Sequence, residues 1–353
     1  MAVTRQALKS HALASSLFGP TTLRQAVEQF GFVQADPIRS PARAQDLILR
    51  HRVKGYRAGD LEKHYPKLGL EEDFLYAYGF VPRTTWRLLH PRLKAGLSAA
   101  EERVLAQVSA QKCLHPRELE AHLGREREVN AWGGYSKATT RVLQALHYRG
   151  LLRVAGRDNG IRLYAATTQQ LEHIEPEERL RKLVLLIAQI LAPMPERSLR
   201  ETLRHLAQAA PHLEGRSSIV AKLVDSGELA SAEVEGLRYL WPTGKLLRSQ
   251  PEAVVRFLSP FDPLVWDRRR FEHLWGWAYR FEAYTPVAKR KLGYYAMPLL
   301  WREEIIGWVN VSSKLGMTVE TGFIRAEPKG NQFRQALKTE IDRLHLFLQQ
   351  EQP

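Results

Sequence analysis

The chain has 353 residues, and its 52 lysines and arginines against 38 aspartates and glutamates give a formal charge of +14 at pH 7. No stretch approaches the roughly 18 consecutive apolar residues of a membrane-spanning helix, and the polar-broken N-terminus is typical of a helix, not a signal peptide. The single cysteine, Cys113, excludes a disulfide framework and a cysteine-based zinc site, and we expect it to be a small core residue. We therefore expect a cytoplasmic protein whose positive charge favours a polyanionic partner.

The first third of the chain predicts helical segments at 4–17, 21–30 and 40–52, with no evident β-hairpin after them. Between the last two, Asp36 precedes Pro37, and a residue before proline is pushed into extended backbone. On such a segment Gln34 and Asp36 project from the same side. We expect the next helix to begin with Ser40 as N-cap and Pro41 at its first position.

A carboxylate beside an amide suits hydrolysis through a cationic transition state. The carboxylate of Asp36 can activate water and stabilise positive charge developing on a sugar, and the amide of Gln34 can fix that water. The alternative is structural, with Asp36 only capping the turn or the helix that follows. From the residues alone this alternative is the stronger one, because a Gln-x-Asp triplet is weakly specific.

The middle of the chain contains an internal repeat, with copies at 140–164 and 218–240. Both carry Leu-x-x-x-Gly-x-Leu and then, about a dozen residues on, an arginine and a tyrosine. Gly150 and Gly227 predict left-handed helix caps, and the alternating segment after each predicts a β-hairpin. Amphipathic helices are predicted upstream of the two copies, at 99–112, 115–124, 177–191 and 197–207.

Helices followed by a hairpin are typical of winged-helix units. We interpret the chain as three tandem winged-helix (helix-turn-helix) modules at 1–95, 96–172 and 173–246, the first the least evident. Winged helices also bind proteins, but tandem modules in a basic chain favour nucleic acid. The residues that we expect to contact DNA in the first two modules are Arg39, Arg43, Lys137, Arg141, Arg149, Arg153 and Arg157.

The last part of the chain, 247–353, is predicted to be a β domain with a terminal helix. Ten aromatic residues fall within 259–295, and most of them are expected in a core. Runs at 294–301 and 304–311 predict strands of a small sheet or barrel, and apolar residues at helical spacing over 333–347 predict an amphipathic helix on it. Further candidates for DNA contact are Lys289, Arg290 and Lys291.

Three segments resemble the YcaQ/AlkZ family of winged-helix DNA glycosylases, which excise bulky alkylated purines and unhook interstrand crosslinks. They are FVQADPI at 32–38, WGGYSKATTRVLQAL at 132–146, and a long segment at 258–301 that begins LSPFDPLVW. The resemblance implies an α+β fold in which three tandem winged helices form a concave DNA-binding surface, closed by a C-terminal β-barrel-like domain.

The family signature is glutamine, an apolar residue, then glutamine or aspartate, and Gln34-Ala35-Asp36 is similar to its Gln-x-Asp branch. The resemblance implies that Asp36 stabilises an oxocarbenium ion and activates water held by Gln34. It implies no nucleophilic lysine, metal or cofactor, hence a monofunctional glycosylase acting on N7-alkylated guanine in double-stranded DNA. An open site would admit bulky and crosslinked adducts.

The chain departs from the family pattern at two places. Tyr76 stands where a histidine is common, and the segment 310–316 differs from the usual strand turn. The runner-up hypothesis is a non-catalytic winged-helix regulator or damage sensor, which would not need a carboxylate aimed at DNA. A metal-dependent nuclease is disfavoured because the 12 histidines are scattered. We expect a nucleoid-associated monomer.

Overall fold

Helical groups alternate with antiparallel hairpins along the chain, in a mixed α+β fold. The computed structural model describes residues 2–92, 96–123, 127–129, 135–158, 160–168, 173–312 and 317–349. The N-terminal elements are α1 (Arg5–Ser16), α2 (Leu23–Phe30), β1 (Val33–Gln34), α3 (Ala44–Leu49), α4 (Asp60–His64), β2 (Leu70–Phe74), β3 (Tyr78–Pro82) and α5 (Arg83–Leu89).

The middle of the chain holds two further groups of helices, each followed by a hairpin. The first group comprises α6 (Ala99–Ser109), α7 (Pro116–Leu123), β4 (Arg127–Val129), β5 (Tyr135–Lys137), α8 (Ala138–Tyr148), β6 (Leu152–Asp158) and β7 (Ile161–Ala166). The second comprises α9 (Pro176–Ile190), β8 (Met194–Pro195), α10 (Glu196–Ala209), α11 (Ile219–Asp225), β9 (Leu229–Val234) and β10 (Leu237–Pro242). The helices and the final hairpin of each group follow the predicted order, whereas β4, β5 and β8 were not predicted.

The two repeat glycines end their helices as predicted. Gly150 has φ +79° and Gly227 has φ +75°, the left-handed region that glycine enters without steric cost. The Leu151 N–H donates to the Leu146 carbonyl at 3.0 Å, which closes the cap at the end of α8. A side chain at Gly150 would collide with the ring of His90, so this helix end also packs against the first part of the chain.

The N-terminal group does contain a hairpin, which the sequence patterns did not reveal. β2 and β3 pair antiparallel, and β1 adds to the other edge of β3, giving the order β1-β3-β2. α3 begins at Ala44, not at Ser40 and Pro41, with Arg43 in extended backbone as its N-cap. Gln45, in the first turn, accepts a hydrogen bond from the Asp36 N–H at 3.4 Å, so the helix start lies against the end of β1.

The C-terminal elements are β11 (Val255–Phe257), α12 (Pro263–Trp266), α13 (Arg268–Trp275), β12 (Met297–Trp301), β13 (Glu304–Ser312), β14 (Thr318–Phe323) and α14 (Asn331–Leu348). The strands form an antiparallel sheet in the order β11-β12-β13-β14. Over the residues that the structure describes, β11 and β14 do not pair, so the sheet is open, not a closed barrel. The predicted terminal helix is present, and Phe333 of α14 packs edge-on against Trp301 at 5.5 Å.

Helix α1 packs on the C-terminal elements. Its Leu8 and Ala12 share a hydrophobic cluster with Leu264 and Phe271 of α12 and α13. The ammonium of Lys9 pairs with Glu304 of β13 at 2.8 Å. The two ends of the chain are therefore held together by a common core. Within the described ranges no helix is both long and apolar enough to span a membrane.

Candidate active site

Gln34 and Asp36 lie where β1 ends. Gln34 is opposite Gly79 of β3, and the Ala35 N–H continues the ladder with a 2.9 Å hydrogen bond to a β3 carbonyl. Val33 and Ala35 pack into a hydrophobic core. Because neighbouring side chains of an extended segment alternate, Gln34 and Asp36 share the opposite side, the orientation that the proline suggested.

The carboxylate of Asp36 is half-buried and only partly engaged. Its Oδ1 accepts the Ile38 N–H at 2.9 Å, so Asp36 does cap the turn. Oδ2 has no hydrogen-bond partner among the residues described. Burial raises the pKa of Asp36 above its ordinary value, and the hydrogen bond from Ile38 offsets part of that rise. A carboxylate with a raised pKa and one uncommitted oxygen is suited to accept a proton.

The side chain of Gln34 presents a matching acceptor. Its Oε1 is buried, and nothing in the described part of the chain donates a hydrogen bond to it. A buried amide oxygen left without a donor costs free energy, so this position favours a bound water or a polar group of a substrate. Gln34 and Asp36 thus offer two acceptors on one side of the strand end.

Aromatic residues of the C-terminal part form a wall beside this pair. The ring of Phe281 meets Phe261 and Tyr295 edge-on, each at 5.2 Å between centroids. Burial raises the pKa of the Tyr295 hydroxyl, and the negative charge of Asp36 adds to the rise. Phe261 and Phe281 pack against the same hydrophobic cluster as Ala35, so the wall and the segment that carries Asp36 lie in one region of the fold although they are far apart in sequence.

Of the ten aromatic residues within 259–295, three are buried, five are partly buried and pack against the hydrophobic clusters, and two are exposed. Tyr295 and Tyr279 are buried, whereas Tyr284 is 79% exposed and Tyr294 is 42% exposed. Tyr76, the residue that replaces the family histidine, is buried between Phe32 at 4.8 Å and Trp266 at 4.9 Å. Tyr76 therefore connects the residue that precedes β1 with helix α12.

Two arginines predicted to contact DNA are held by buried carboxylates. Arg153 donates from Nε to both oxygens of Glu71 at 3.1 Å. Arg157 donates to both oxygens of Glu72, at 2.9 and 2.6 Å. These pairs fasten the β6–β7 hairpin to β2. Contact with DNA by Arg153 and Arg157 stays a prediction, and their placement gives them a structural role of their own.

Other predicted DNA-contacting residues are paired as well. Arg43 forms an ion pair with Glu62. Arg149 pairs with Glu101 at 3.2 Å and donates to the Gly96 carbonyl at 3.2 Å. Both guanidinium groups are mostly buried, and these pairs engage N–H groups that a phosphate would need.

The remaining predicted basic residues differ in exposure. Arg39, Arg141, Lys289 and Lys291 are exposed. Arg290 is half-buried, with its guanidinium 5.0 Å from the ring centre of Tyr294. The side chain of Lys137 lies outside the described residues. So does most of the part of the 132–146 motif that comes before α8. Arg39, three residues after Asp36, is the exposed cation nearest to it in sequence.

No group of three or more histidine, cysteine, aspartate or glutamate side chains suited to a metal occurs in the described ranges. Cys113 is half-buried. Burial raises the pKa of its thiol, which favours the protonated, unreactive form.

Sequence reasoning missed Gly79, whose role depends on its neighbours in space. A Cβ there would lie 2.3 Å from the Val33 carbonyl oxygen and 2.6 Å from the ring of Phe32. The lack of a side chain lets β1 approach β3 and sets the position of Gln34. A glycine inside a predicted hairpin strand is the signal that could have found it.

Comparison with known proteins agrees with this architecture. The AlkZ DNA glycosylase of Streptomyces sahachiroi superposes with a TM-score of 0.64, covering 98% of this chain and 97% of that one at 14% sequence identity. At that identity the likeness shows the fold. The sequence profile of the family described as "DNA glycosylase AlkZ-like" matches residues 27–347, which include Gln34, Asp36 and the aromatic wall. The chain therefore belongs to the AlkZ-like family of DNA glycosylases.

Proposed function

We propose that this DNA glycosylase hydrolyses the N-glycosidic bond of N7-alkylated guanine, including bulky adducts and interstrand crosslinks, and leaves an abasic site. The observation that carries the proposal is the half-buried carboxylate of Asp36, with a raised pKa, on the same side of β1 as the unpartnered amide oxygen of Gln34. A regulator or damage sensor, the alternative function, would have no use for the Gln34 and Asp36 pair.

The reaction follows from the chemistry of the substrate. Alkylation at N7 makes guanine a cationic leaving group, so the base departs neutral when it takes the bond electrons to N9. The C1′ carbon becomes oxocarbenium-like, and the negative charge of Asp36 stabilises it. Water held by the Gln34 Oε1 then attacks C1′ and gives a proton to the Asp36 carboxylate. No step needs a covalent enzyme intermediate, which fits a monofunctional glycosylase.

The binding surface that we propose consists of three tandem winged-helix modules, at 1–95, 96–172 and 173–246, with the C-terminal domain at 247–353 closing a concave face. Support comes from the order of helices and hairpins in each of the three segments. Exposed cations on this face, with Arg39, Lys289 and Lys291 as our first candidates, would bind phosphates. The paired residues Arg153 and Arg157 would instead hold two modules together.

The openness of the site supports the proposal that bulky and crosslinked adducts are substrates. Asp36 is only half-buried, and the neighbouring Tyr284 is exposed. A site of this kind does not require the base to fit a closed pocket, so an adduct or a second strand can project away from the protein.

The test is single-turnover base release from duplexes carrying N7-methylguanine or a guanine–guanine crosslink. We expect the wild type to release the alkylated base, and Asp36→Asn to slow release by roughly 10²–10⁴-fold, the usual contribution of a general base. Asp342→Asn, an exposed aspartate on α14, is the matched control and should match the wild type. Binding of damaged duplex without any base release by the wild type would favour the regulator and overturn the proposal.

A further inference from the structure

Exposed apolar side chains cluster on the loop between α13 and β12. Among the described residues, Tyr284 is 79%, Val287 76% and Tyr294 42% exposed. Single exposed apolar residues are ordinary on protein surfaces, but three on one loop point to a partner.

This loop is held in one shape by a buried carboxylate. Oε2 of Glu282 accepts the N–H groups of Lys291 and Leu292 at 2.8 Å and of Gly293 at 3.3 Å. The Asn310 amide donates to the Leu292 carbonyl at 2.6 Å, and it occupies the space where a Cβ at Gly293 would be. Gly293 has φ +119°, which disfavours any other residue. A loop tied in this way presents its side chains without an ordering cost on binding.

The loop presents Tyr284 at the edge of the candidate active site. The ring of Tyr284 lies 6.2 Å from that of Phe281, which also meets the buried Tyr295 at 5.2 Å. Burial raises the pKa of Tyr284 and of Tyr295, and the charge of Asp36 adds to both rises, so both hydroxyls are within its electrostatic reach. Tyr284 is therefore an open aromatic face on the ring cluster that packs, with Ala35, against one hydrophobic core near the proposed catalytic carboxylate.

The charges around this face match a nucleic acid. Lys289 and Lys291 are exposed, and the guanidinium of Arg290 lies over the ring of Tyr294 at 5.0 Å. Aromatic rings alternating with cations are the usual surface for a strand whose bases stack while its phosphates pair with lysine and arginine. DNA is the occupant that this combination favours.

We propose that Tyr284 is the stacking platform for the alkylated base whose sugar faces Asp36, and that it favours cationic N7-alkylpurines. This inference rests on the proposed function. A base is bonded directly to the C1′ carbon that Asp36 must face, so its ring lies within reach of an aromatic residue at the mouth of the site. The electron-rich face of a phenol ring attracts a cation, which gives an alkylated purine an advantage over a neutral one.

The experiment measures affinity for duplexes by fluorescence anisotropy. One duplex carries 2′-fluoro-N7-methylguanine, whose glycosidic bond resists cleavage, and the other carries guanine at that position. We expect Tyr284→Ala to weaken binding of the alkylated duplex on the order of tenfold, as for loss of base–aromatic stacking, with a smaller effect on the unmodified one. Tyr284→Phe keeps the ring and should bind within about twofold of the wild type.

Leu247→Ala is the matched control, since Leu247 is 50% exposed and lies outside this loop. It should bind both duplexes like the wild type. Because Tyr284 is exposed, its variants should unfold at the wild-type temperature. Equal affinity of Tyr284→Ala and the wild type, or an equal loss on both duplexes, would overturn the inference even if the wild type releases N7-methylguanine. Absence of base release by the wild type would instead overturn the proposed function.

Discussion

The guanidinium of Arg52 and the carboxylate of Asp262 form a fully buried, two-point ion pair, with N–O distances of 2.8 and 3.0 Å. Two further N–H groups of Arg52 donate to the carbonyls of Ser16 and Ile48, each at 2.7 Å. Arg52 follows α3, and Asp262 caps α12. The pair therefore joins the segment that carries Asp36 to the C-terminal part that carries the aromatic wall.

Removing one partner of this pair should destabilise the fold strongly. We expect Asp262→Asn to lower the free energy of unfolding by roughly 3–5 kcal/mol, because it leaves the Arg52 cation buried without a counterion. Urea denaturation measures this. Asp342→Asn breaks the exposed pair with Lys338, at 2.7 Å, and should change stability by less than about 1 kcal/mol. Equal urea midpoints for the two variants would contradict the prediction.

The carboxylate of Asp36 should cost stability at neutral pH. Its pKa is raised by burial, so the folded state disfavours the ionised form and stability falls as pH rises through the raised value. We expect Asp36→Asn, which can still accept the Ile38 N–H, to melt at the wild-type temperature or above it near pH 7. This advantage should vanish as pH falls towards 3.8, the ordinary value. Thermal unfolding across pH checks it, and a lower melting temperature of Asp36→Asn at pH 7 would refute it.

The buried carboxylate of Glu72 should behave in the opposite way. Burial alone would raise its pKa, but the hydrogen bond and charge of Arg157, together with Arg162, hold it below the ordinary value. We expect Glu72→Gln to lower the free energy of unfolding by roughly 3–5 kcal/mol at pH 7. The difference from the wild type should shrink as pH falls below 4.5, because protonation removes the same charge. The measurement is urea denaturation at several pH values.

Glu177→Gln is the control for this variant. Glu177 pairs with Lys222 at 2.8 Å, but both side chains are exposed, 73% and 61%. An exposed pair is screened by water and salt, so its loss should change the free energy of unfolding far less than the loss of the Glu72 charge, at any pH. A loss at Glu72 no larger than the one at Glu177 would show that the Arg157 contact does not fasten the β6–β7 hairpin.

Gly79 should be needed for the geometry of the site. In Gly79→Ala the new methyl group would press on the Val33 carbonyl and the Phe32 ring, so β1 must move away from β3 and carry Gln34 with it. We expect base release to fall at least tenfold, on the order of the loss that a misplacement of about 1 Å causes. Gly156→Ala, where a Cβ meets nothing within 4 Å, is the control. Single-turnover kinetics measure base release. Wild-type release by Gly79→Ala would show that Gly79 is not needed to position Gln34.

The salt dependence of DNA affinity should distinguish exposed cations that bind phosphates from cations held in ion pairs. We expect DNA affinity to fall steeply with salt, and Lys289→Gln and Lys291→Gln each to reduce the slope of log affinity against log salt by about 0.9. Lys338→Gln, on the exposed face of α14, should leave the slope unchanged. Anisotropy titrations over a salt series measure it. Wild-type slopes in both loop variants would show that this loop does not touch phosphates.

The sequence predicted most of the longer helices and the two repeat hairpins because their signals are local, whereas α5, α12 and α13 were not predicted. Gly150 and Gly227 end helices where only a left-handed residue fits, and neighbouring residues suffice to recognise that. The first hairpin escaped notice because β2 carries Glu71, Glu72 and Asp73 in succession, a run that looks like a solvated loop. Those carboxylates are buried only because arginines from distant segments neutralise them.

The candidate site was predictable in part for the same reason. The proline after Asp36 indicates extended backbone, so the shared side of Gln34 and Asp36 follows from neighbours in sequence. The position of Tyr284 does not, since ten aromatic residues within 259–295 look alike as core formers. The loop that carries Tyr284 is tied by the Glu282 carboxylate, which accepts the backbone N–H groups of 291–293, a contact that no periodicity encodes.

The distance along the chain between Asp36 and Tyr284 has a consequence for synthesis. A ribosome adds about 5–20 residues each second, so the roughly 250 residues between them take on the order of 10–50 s to emerge. During most of that interval β1, β2 and β3 can form before Asp262 and the aromatic wall have been synthesised. A nascent chain therefore exposes the carboxylate without the surface that would present a base to it. We therefore expect a fragment ending before Tyr284 to carry the Gln34-Ala35-Asp36 signature without the complete candidate site.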